Sequence, residues 1–95
     1  MALKEEFEEH VDKAKTLPES KLTDDNKLKL YGLYKQATGG SISDTTVPAM
    51  FDNLKEKAKW NAWKAVEWKS QEEARKDYIT MVKQLLAAAA ASSSR

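Results

Sequence analysis

The sequence contains no cysteine, one histidine, two prolines and three glycines among its 95 residues. Without cysteine the chain forms neither a disulfide scaffold nor a thiolate metal site, and a reducing compartment is compatible with it. Few glycines and prolines, many strong helix formers and a charged fraction of 33% together predict an all-α fold. A chain of this length is expected to form one domain with a modest core.

Long apolar runs and an excess of one charge are also absent. No segment approaches the ~18 apolar residues of a membrane span. The first 20 residues are too charged for a signal peptide, so we expect a cytosolic protein. The net charge is +1, from 16 basic and 15 acidic residues. Because proteins that bind duplex phosphates carry a clear basic excess, no specific nucleic-acid binding is expected.

Patterns for catalysis and metal binding are missing as well. Nucleophilic hydrolysis requires a serine or cysteine beside a base that a third group orients. The single histidine, His10, lies in a charged first helix, where we expect it to face solvent or to be partly packed. No metal-ligand spacing appears, and Gly39-Gly40 lacks the Lys-Ser/Thr of a phosphate loop. We therefore expect no enzyme, no metal and no cofactor.

Apolar periodicity predicts four helices, over residues 4–16, 23–38, 54–67 and from residue 70 onward. Pro18 ends the first helix, Thr23 or Asp24 caps the second, and residues 70–73 (SQEE) form a capping box. The predicted inward positions are Phe7, Val11, Ala14, Leu30, Leu33, Ala37, Ala58, Ala62, Trp63, Val66, Ala74, Tyr78, Ile79, Val82, Leu85 and Leu86.

The connection over residues 39–53 is longer than the connections between helices in bundles, which typically have roughly 2–8 residues. Connections of this size tend to be functional or mobile. The domain is expected to span residues 3–87 and to be followed by a flexible tail over residues 88–95. Residues 87–91, all alanine, can prolong the last helix but bury little surface.

Four side chains of the second helix form the most informative pattern. Their spacing of i, i+4, i+7 and i+8 puts them on one face, and they are Lys27, Tyr31, Tyr34 and Lys35. Two rings between two cations suit a ligand with a flat base and phosphates. Amphipathic side chains of these types also simply cover a helix edge, and spacing alone does not separate the two interpretations.

Other candidate residues have ordinary structural interpretations too. Lys55 and Lys59 share a helix face, which is more often a solvated surface than a binding site. Trp60 and Trp63 are three residues apart and are typical of a core. Tyr78, within an apolar stripe, is typical of a core edge.

The segments LYGLYKQAT (residues 30–38) and KAKWNAWK (residues 57–64) closely resemble the acyl-CoA-binding protein family. The resemblance runs from about residue 7 to residue 86, includes Pro48 and Met50, and is greatest to small cytosolic members found in plants. It implies a four-helix up-down-down-up bundle whose bowl-shaped face holds the CoA head group. It also implies a monomeric carrier of medium- to long-chain acyl-CoA esters that contacts membranes and acyl-CoA-using enzymes transiently.

The resemblance implies roles for individual side chains at the head group. Tyr31, Lys35 and Lys59 correspond to family residues that hold the ribose 3′-phosphate. Tyr34 corresponds to the residue whose ring stacks on adenine.

Further roles follow at the rim and along the acyl chain. Tyr78 corresponds to another ligand-contacting tyrosine, and Lys15 and Lys55 correspond to basic positions at the rim. Val11 and Leu28 fall where the family lines the acyl path.

The sequence departs from the family pattern at several positions. Residues 39–41 (GGS) replace a bulky residue, glycine and aspartate, and residues 47–49 (VPA) replace Arg-Pro-Gly. Lys27 replaces a commonly apolar residue near the acyl path. Trp68 stands where glycine usually provides a left-handed helix cap, so we expect another stop there or an exposed Trp68.

Two other functions are compatible with the same residues. A helical protein-interaction module would dock a partner on a surface of Trp60, Trp63 and Trp68. A weak single-stranded nucleic-acid binder would use Tyr31 and Tyr34 as stacking platforms. The two motifs together favour the carrier.

Overall fold

The computed structural model describes residues 2–39 and 54–93, and within them it contains four α-helices. They are α1 (Leu3–Ala14), α2 (Asp24–Thr38), α3 (Leu54–Lys64) and α4 (Gln71–Ser93), with a short 3₁₀ helix at Glu19–Lys21. The all-α prediction is confirmed. Among the described residues, no helix has the length and apolar character needed to cross a membrane. Residues 40–53, which hold all of the predicted connection except Gly39 and most of the positions that depart from the family pattern, lie outside the described residues. The first residue and the last two lie outside them as well.

Side-chain caps fix where two of the helices begin. Thr23 Oγ1 accepts a hydrogen bond from the backbone N–H of Asn26 at 3.2 Å, which makes Thr23 the cap of α2. Ser70 Oγ accepts from the N–H of Glu73 at 3.0 Å, and Glu73 Oε1 accepts from the N–H of Ser70 at 3.4 Å. This reciprocal pair is the predicted capping box at the start of α4.

The helix ends differ from the prediction at α1, α3 and α4. α1 ends two residues early because its last turn tightens, and the Lys15 N–H bonds to the Asp12 carbonyl at 3.1 Å. α3 ends at Lys64, and tight turns follow it to residue 69. α4 continues through residues 87–91 to Ser93, so residues 88–93 of the predicted tail are helical. Whether that end is flexible stays a prediction.

The directions of the helices follow from which residues meet. Along α2, Gly32 lies against Ala62, and further on Gln36 bonds to the Glu67 carbonyl, so α2 and α3 run parallel. Gln36 bonds also to the Lys69 carbonyl, while earlier in α2 Asn26 shares a groove with Gln84, so α2 and α4 run antiparallel.

The first and last helices lie side by side. Phe7 contacts Tyr78, and one turn further along α1 His10 shares a groove with Leu86, so α1 and α4 run parallel. Together with the pairings of α2, this gives the up-down-down-up arrangement that the family resemblance implied.

The core lies where α1, α2 and α4 meet. Its buried members are Phe7, Leu30, Leu33, Ala37, Ala74, Tyr78, Ile79 and Val82. All eight are among the predicted inward positions. His10 is only 4% exposed, so of its two expected placements the solvent-facing one is wrong, and the ring is packed more fully than the other predicted. Its Nδ1 donates to the Glu6 carbonyl at 2.8 Å, which satisfies the buried ring.

Candidate functional site

An open groove of about 440 Å³ lies between α1, α2 and α4. Its lining residues are Val11, Ala14, Lys15, Lys27, Leu30, Tyr31, Tyr34 and Tyr78. Five of the nine residues predicted for the ligand site are in this set. The lining includes three phenol rings and two lysines but no carboxylate, so it suits a ligand with apolar and anionic parts.

An aromatic cluster forms one wall of the groove. Tyr34 is 40% exposed and stacks on Phe7, with ring centroids 6.0 Å apart and planes 21° apart. Tyr78 is only 5% exposed and meets Phe7 edge-on at 5.1 Å. Phe7 therefore holds the exposed ring of Tyr34 in place, which makes that ring available for stacking on a flat ligand.

Burial changes the acidity of one phenol in this cluster. The pKa of the Tyr78 hydroxyl lies above its ordinary value, first because burial disfavours the phenolate and second because Tyr34 is close. Tyr78 therefore faces the groove as a neutral hydrogen-bond donor at physiological pH.

Two of the predicted lysines, Lys59 and Lys35, do not line the groove, and each lies over an aromatic ring instead. Lys59 Nζ lies 5.6 Å from the ring centroid of Tyr31, which joins α3 to the Lys/Tyr face of α2. Its only ion pair among the described residues is with Glu56, at 3.7 Å on the exposed surface of α3. Lys35 Nζ lies 5.1 Å over the ring of Trp63. The exposed ion pair of Lys59 with Glu56 is of a weak kind, so the Lys59 ammonium group remains available to an anion.

A residue that sequence reasoning missed anchors this region. Gln36 Nε2 donates to the Lys69 carbonyl at 2.6 Å, and Gln36 Oε1 accepts from Trp63 Nε1 at 3.0 Å. The amide thus fixes the indole beneath Lys35 and ties α2 to the turn after α3. Its place within LYGLYKQAT was the only signal for Gln36 in the sequence.

The remaining predicted residues lie around this arrangement. Lys15 is in the groove with an exposed ion pair to Asp12 at 3.6 Å, and Lys55 is exposed on the first turn of α3. Leu28 lies in a different groove, of about 380 Å³, between α2, α3 and α4. It is therefore separated from Val11, and its role along an acyl path stays a prediction. Among the described residues there is no cluster of side chains suited to a metal ion.

The chain is similar over most of its length to known acyl-CoA-binding proteins. The family model described as "Acyl CoA binding protein" matches residues 4–82. An acyl-CoA-binding protein of Ricinus communis is 66% identical over 92 residues, covering 97% of this chain and 99% of the relative. One of Fritillaria agrestis is 69% identical over 86 residues, covering 90% and 95%. The crystal structure of Oryza sativa acyl-CoA-binding protein 2 superimposes with a TM-score of 0.91 at 60% identity, covering 98% of this chain and all of that one.

Proposed function

The chain belongs to the acyl-CoA-binding protein family, and from that premise we propose that it is an intracellular carrier of acyl-CoA esters. It binds medium- to long-chain esters one-to-one with high affinity, takes them from membranes and delivers them to enzymes that use them. It acts as a cytosolic monomer, without cofactor or catalysis, and its binding domain spans residues 3–87. The observation that carries this proposal is the groove with three phenol rings and two lysines, joined to α3 by the contact between Lys59 and Tyr31.

The head group is assigned to the side of the groove that α3 adjoins. A 3′-phosphate held by Lys35, Lys59 and the hydroxyl of Tyr31 would receive charge-assisted hydrogen bonds, which are the strong ones. The exposed ring of Tyr34, held on Phe7, is assigned to adenine. Tyr78 donates from the groove wall, and Lys15 and Lys55 attract the phosphates from the rim.

The acyl chain contributes most of the affinity. Burying a methylene is worth about 0.8 kcal/mol, so a C16 chain contributes on the order of 10 kcal/mol before ordering costs. Val11, which lines the groove, is assigned to its path, and Leu28 is assigned to a part of that path in the second groove, between α2, α3 and α4. The head-group contacts then fix the identity and orientation of the ligand.

Replacement of Lys35 tests the head-group assignment. Lys35→Ala is expected to weaken binding of palmitoyl-CoA by about 1.5–3 kcal/mol, the scale of a hydrogen bond to a charged group. Isothermal titration calorimetry with palmitoyl-CoA and with its 3′-dephospho form measures this. The wild type loses affinity for the dephospho ligand, whereas Lys35→Ala loses little more. Lys76→Ala, an exposed lysine of α4 outside the groove, is the control.

If removal of the 3′-phosphate lowered the affinity of the wild type and of Lys35→Ala equally, Lys35 would not belong to the phosphate site. Titrations with free CoA and free palmitate test the function as a whole, because a carrier of the ester binds strongly only when head and tail are joined. A protein-interaction module would bind none of the three ligands tightly.

A further inference from the structure

One lysine of the ligand groove has no part in the proposed function. Lys27 lines the groove together with the phenol rings and with Val11, Ala14 and Lys15 of the facing wall. It lies in the first turns of α2, four residues before Tyr31, so the two side chains are neighbours on one helix face. Lys27 is exposed, and it therefore brings a solvated positive charge to the edge of the groove.

Nothing within the groove neutralises that charge. In the described part of the chain Lys27 forms no ion pair, although Asp24 precedes it by three residues. The other lysine of the groove, Lys15, pairs with Asp12 at 3.6 Å, but both side chains are exposed and such pairs are weak. Two ammonium groups without a carboxylate in the lining attract an anionic part of a ligand.

Lys27 and Lys35 lie on the same helix face but at different places in the site. They are eight residues apart, which is about 12 Å along the helix axis. Lys35 Nζ lies over the ring of Trp63 on the side of α3, whereas Lys27 lines the groove that α1 and α4 complete. Tyr31 comes between the two lysines, and Lys59 of α3 contacts its ring. The two lysines therefore suit two separate anionic groups of one ligand.

A CoA ester has phosphate at two positions, the 3′-phosphate on the ribose and the 5′-diphosphate that leads to the pantetheine and the acyl thioester. The proposed function assigns the 3′-phosphate to Lys35 and its neighbours. We propose that Lys27, with Lys15 on the facing wall, holds the 5′-diphosphate. This inference rests on the proposed function, which supplies the ligand and the place of its 3′-phosphate. The diphosphate follows the adenosine in the ligand, as Lys27 follows Tyr31 towards the start of α2.

The alternative position of Lys27, along the acyl path, is less favourable for an ammonium group. A charge covered by an acyl chain would lose water without gaining a partner. The four methylenes of a lysine can nevertheless cover apolar surface while the charge stays in water or meets an anion. Because Lys27 replaces a commonly apolar residue of the family, it gives this chain a charged head-group contact that the apolar residue does not provide.

Isothermal titration calorimetry of Lys27→Met tests the proposal, because methionine keeps an unbranched side chain and a high helix propensity but removes the charge. The variant is expected to bind palmitoyl-CoA about fivefold more weakly than the wild type, the scale of a charged contact at an exposed site. The same factor is expected with palmitoyl-3′-dephospho-CoA and with octanoyl-CoA, since all three ligands contain the diphosphate. The difference is expected to shrink in about 0.5 M NaCl.

Lys27→Arg keeps the charge and is expected to bind nearly as the wild type does. Lys76→Met, at an exposed position of α4 outside the groove, is the control for removal of a surface charge. Circular dichroism shows that each variant is folded.

Three results would overturn the assignment while the wild type still binds palmitoyl-CoA. Equal affinity of the wild type and Lys27→Met would remove Lys27 from the site. A loss that disappears with the dephospho ligand would place Lys27 at the 3′-phosphate, and a change that grows with acyl length would place it on the acyl path. A wild type that binds no acyl-CoA would instead contradict the proposed function, and this inference with it.

Discussion

Tyr78 is the most buried of the three tyrosines in the groove, and its hydroxyl is the group there whose ionisation the fold opposes. Burial and the proximity of Tyr34 raise its pKa, so the folded state favours the neutral phenol. An unfolded tyrosine ionises at about pH 10. The stability contributed by the neutral form is therefore complete below that pH and is lost as pH rises towards the higher folded-state pKa.

The free energy of unfolding is consequently expected to fall more steeply above pH 10 in the wild type than in Tyr78→Phe. Urea denaturation followed by circular dichroism from pH 9 to pH 11.5 measures both slopes. Tyr78→Phe differs from the wild type by one hydroxyl group, so the difference between the two slopes belongs to Tyr78. Tyr31→Phe, which keeps Tyr78, serves as the control and retains the steep slope. Parallel profiles for wild type and Tyr78→Phe would contradict the assignment.

Residue roles could be predicted from the sequence only where a motif carried them. The rings of Tyr31 and Tyr34 and the lysines beside them share a face by spacing alone. Phe7 was predicted as core, but no periodicity within α1 indicates that its ring supports Tyr34 across the interface. Such contacts depend on how two helices pack, and they appear only in the structure.

At the scale of helices, α2 and α3 approach closely because residue 32 is glycine. A Cβ at Gly32 would lie 2.8 Å from the carbonyl carbon and 3.2 Å from the amide nitrogen of the facing α3 backbone. Backbone atoms cannot rotate away as a flexible side chain can, so the helices would have to separate. The separation would also displace Lys59 from Tyr31.

Gly32→Ala is therefore expected to lower the free energy of unfolding by about 1–3 kcal/mol, the usual cost of overpacking. This loss exceeds the gain of up to about 1 kcal/mol that alanine brings to a helix interior. Chemical denaturation measures the change. Lys29→Ala, at an exposed position of the same helix, is the control and changes stability by less than about 0.5 kcal/mol. A Gly32→Ala protein as stable as the wild type would show that the helices move apart at little cost.

The helix starts were predictable because their signals are local. Thr23 and the SQEE box at residues 70–73 act through bonds that span three residues, and both form in the structure. The end of α3 was less predictable, since no glycine marks it. Gln36 Nε2 donates to the carbonyls of Glu67 and Lys69 in the turn after α3, from 31 and 33 residues away in the sequence. Such distant partners leave no periodic signal.

At the scale of the whole molecule, we predict that the last residues of α4 are separable from the binding domain. The partly buried side chains packed on the core extend only to Leu86, and the helix continues to Ser93. Truncation after residue 87 is expected to leave palmitoyl-CoA affinity unchanged and to cost less than about 1 kcal/mol of stability. Calorimetry and thermal unfolding measure the two quantities.

Truncation after residue 81 is the contrasting variant. It removes Val82, which is 0% exposed, together with Leu85 and Leu86, and it is expected to prevent stable folding. A tenfold loss of affinity on truncation after residue 87 would extend the domain to the end of α4.

The architecture as a whole was predictable through the family resemblance rather than through periodicity. The apolar stripes predicted four helices and their inward faces, but such stripes do not indicate whether neighbouring helices run parallel or antiparallel. The placement of Leu28 shows the same limit, since its groove depends on the side of α2 that α3 covers.

The pairing of α1 with α4 has a consequence for how the chain reaches its native state. Lys83 Nζ lies 3.5 Å from a carboxylate oxygen of Glu6, across a separation of 77 residues. Closing a loop of that length in a single step costs about 4 kcal/mol of chain entropy. During synthesis, α1 is therefore expected to pack on α4 only after most of the polypeptide has left the ribosome. Because Tyr78, Ile79 and Val82 come late in translation, the nascent chain acquires its hydrophobic interior nearly all at once.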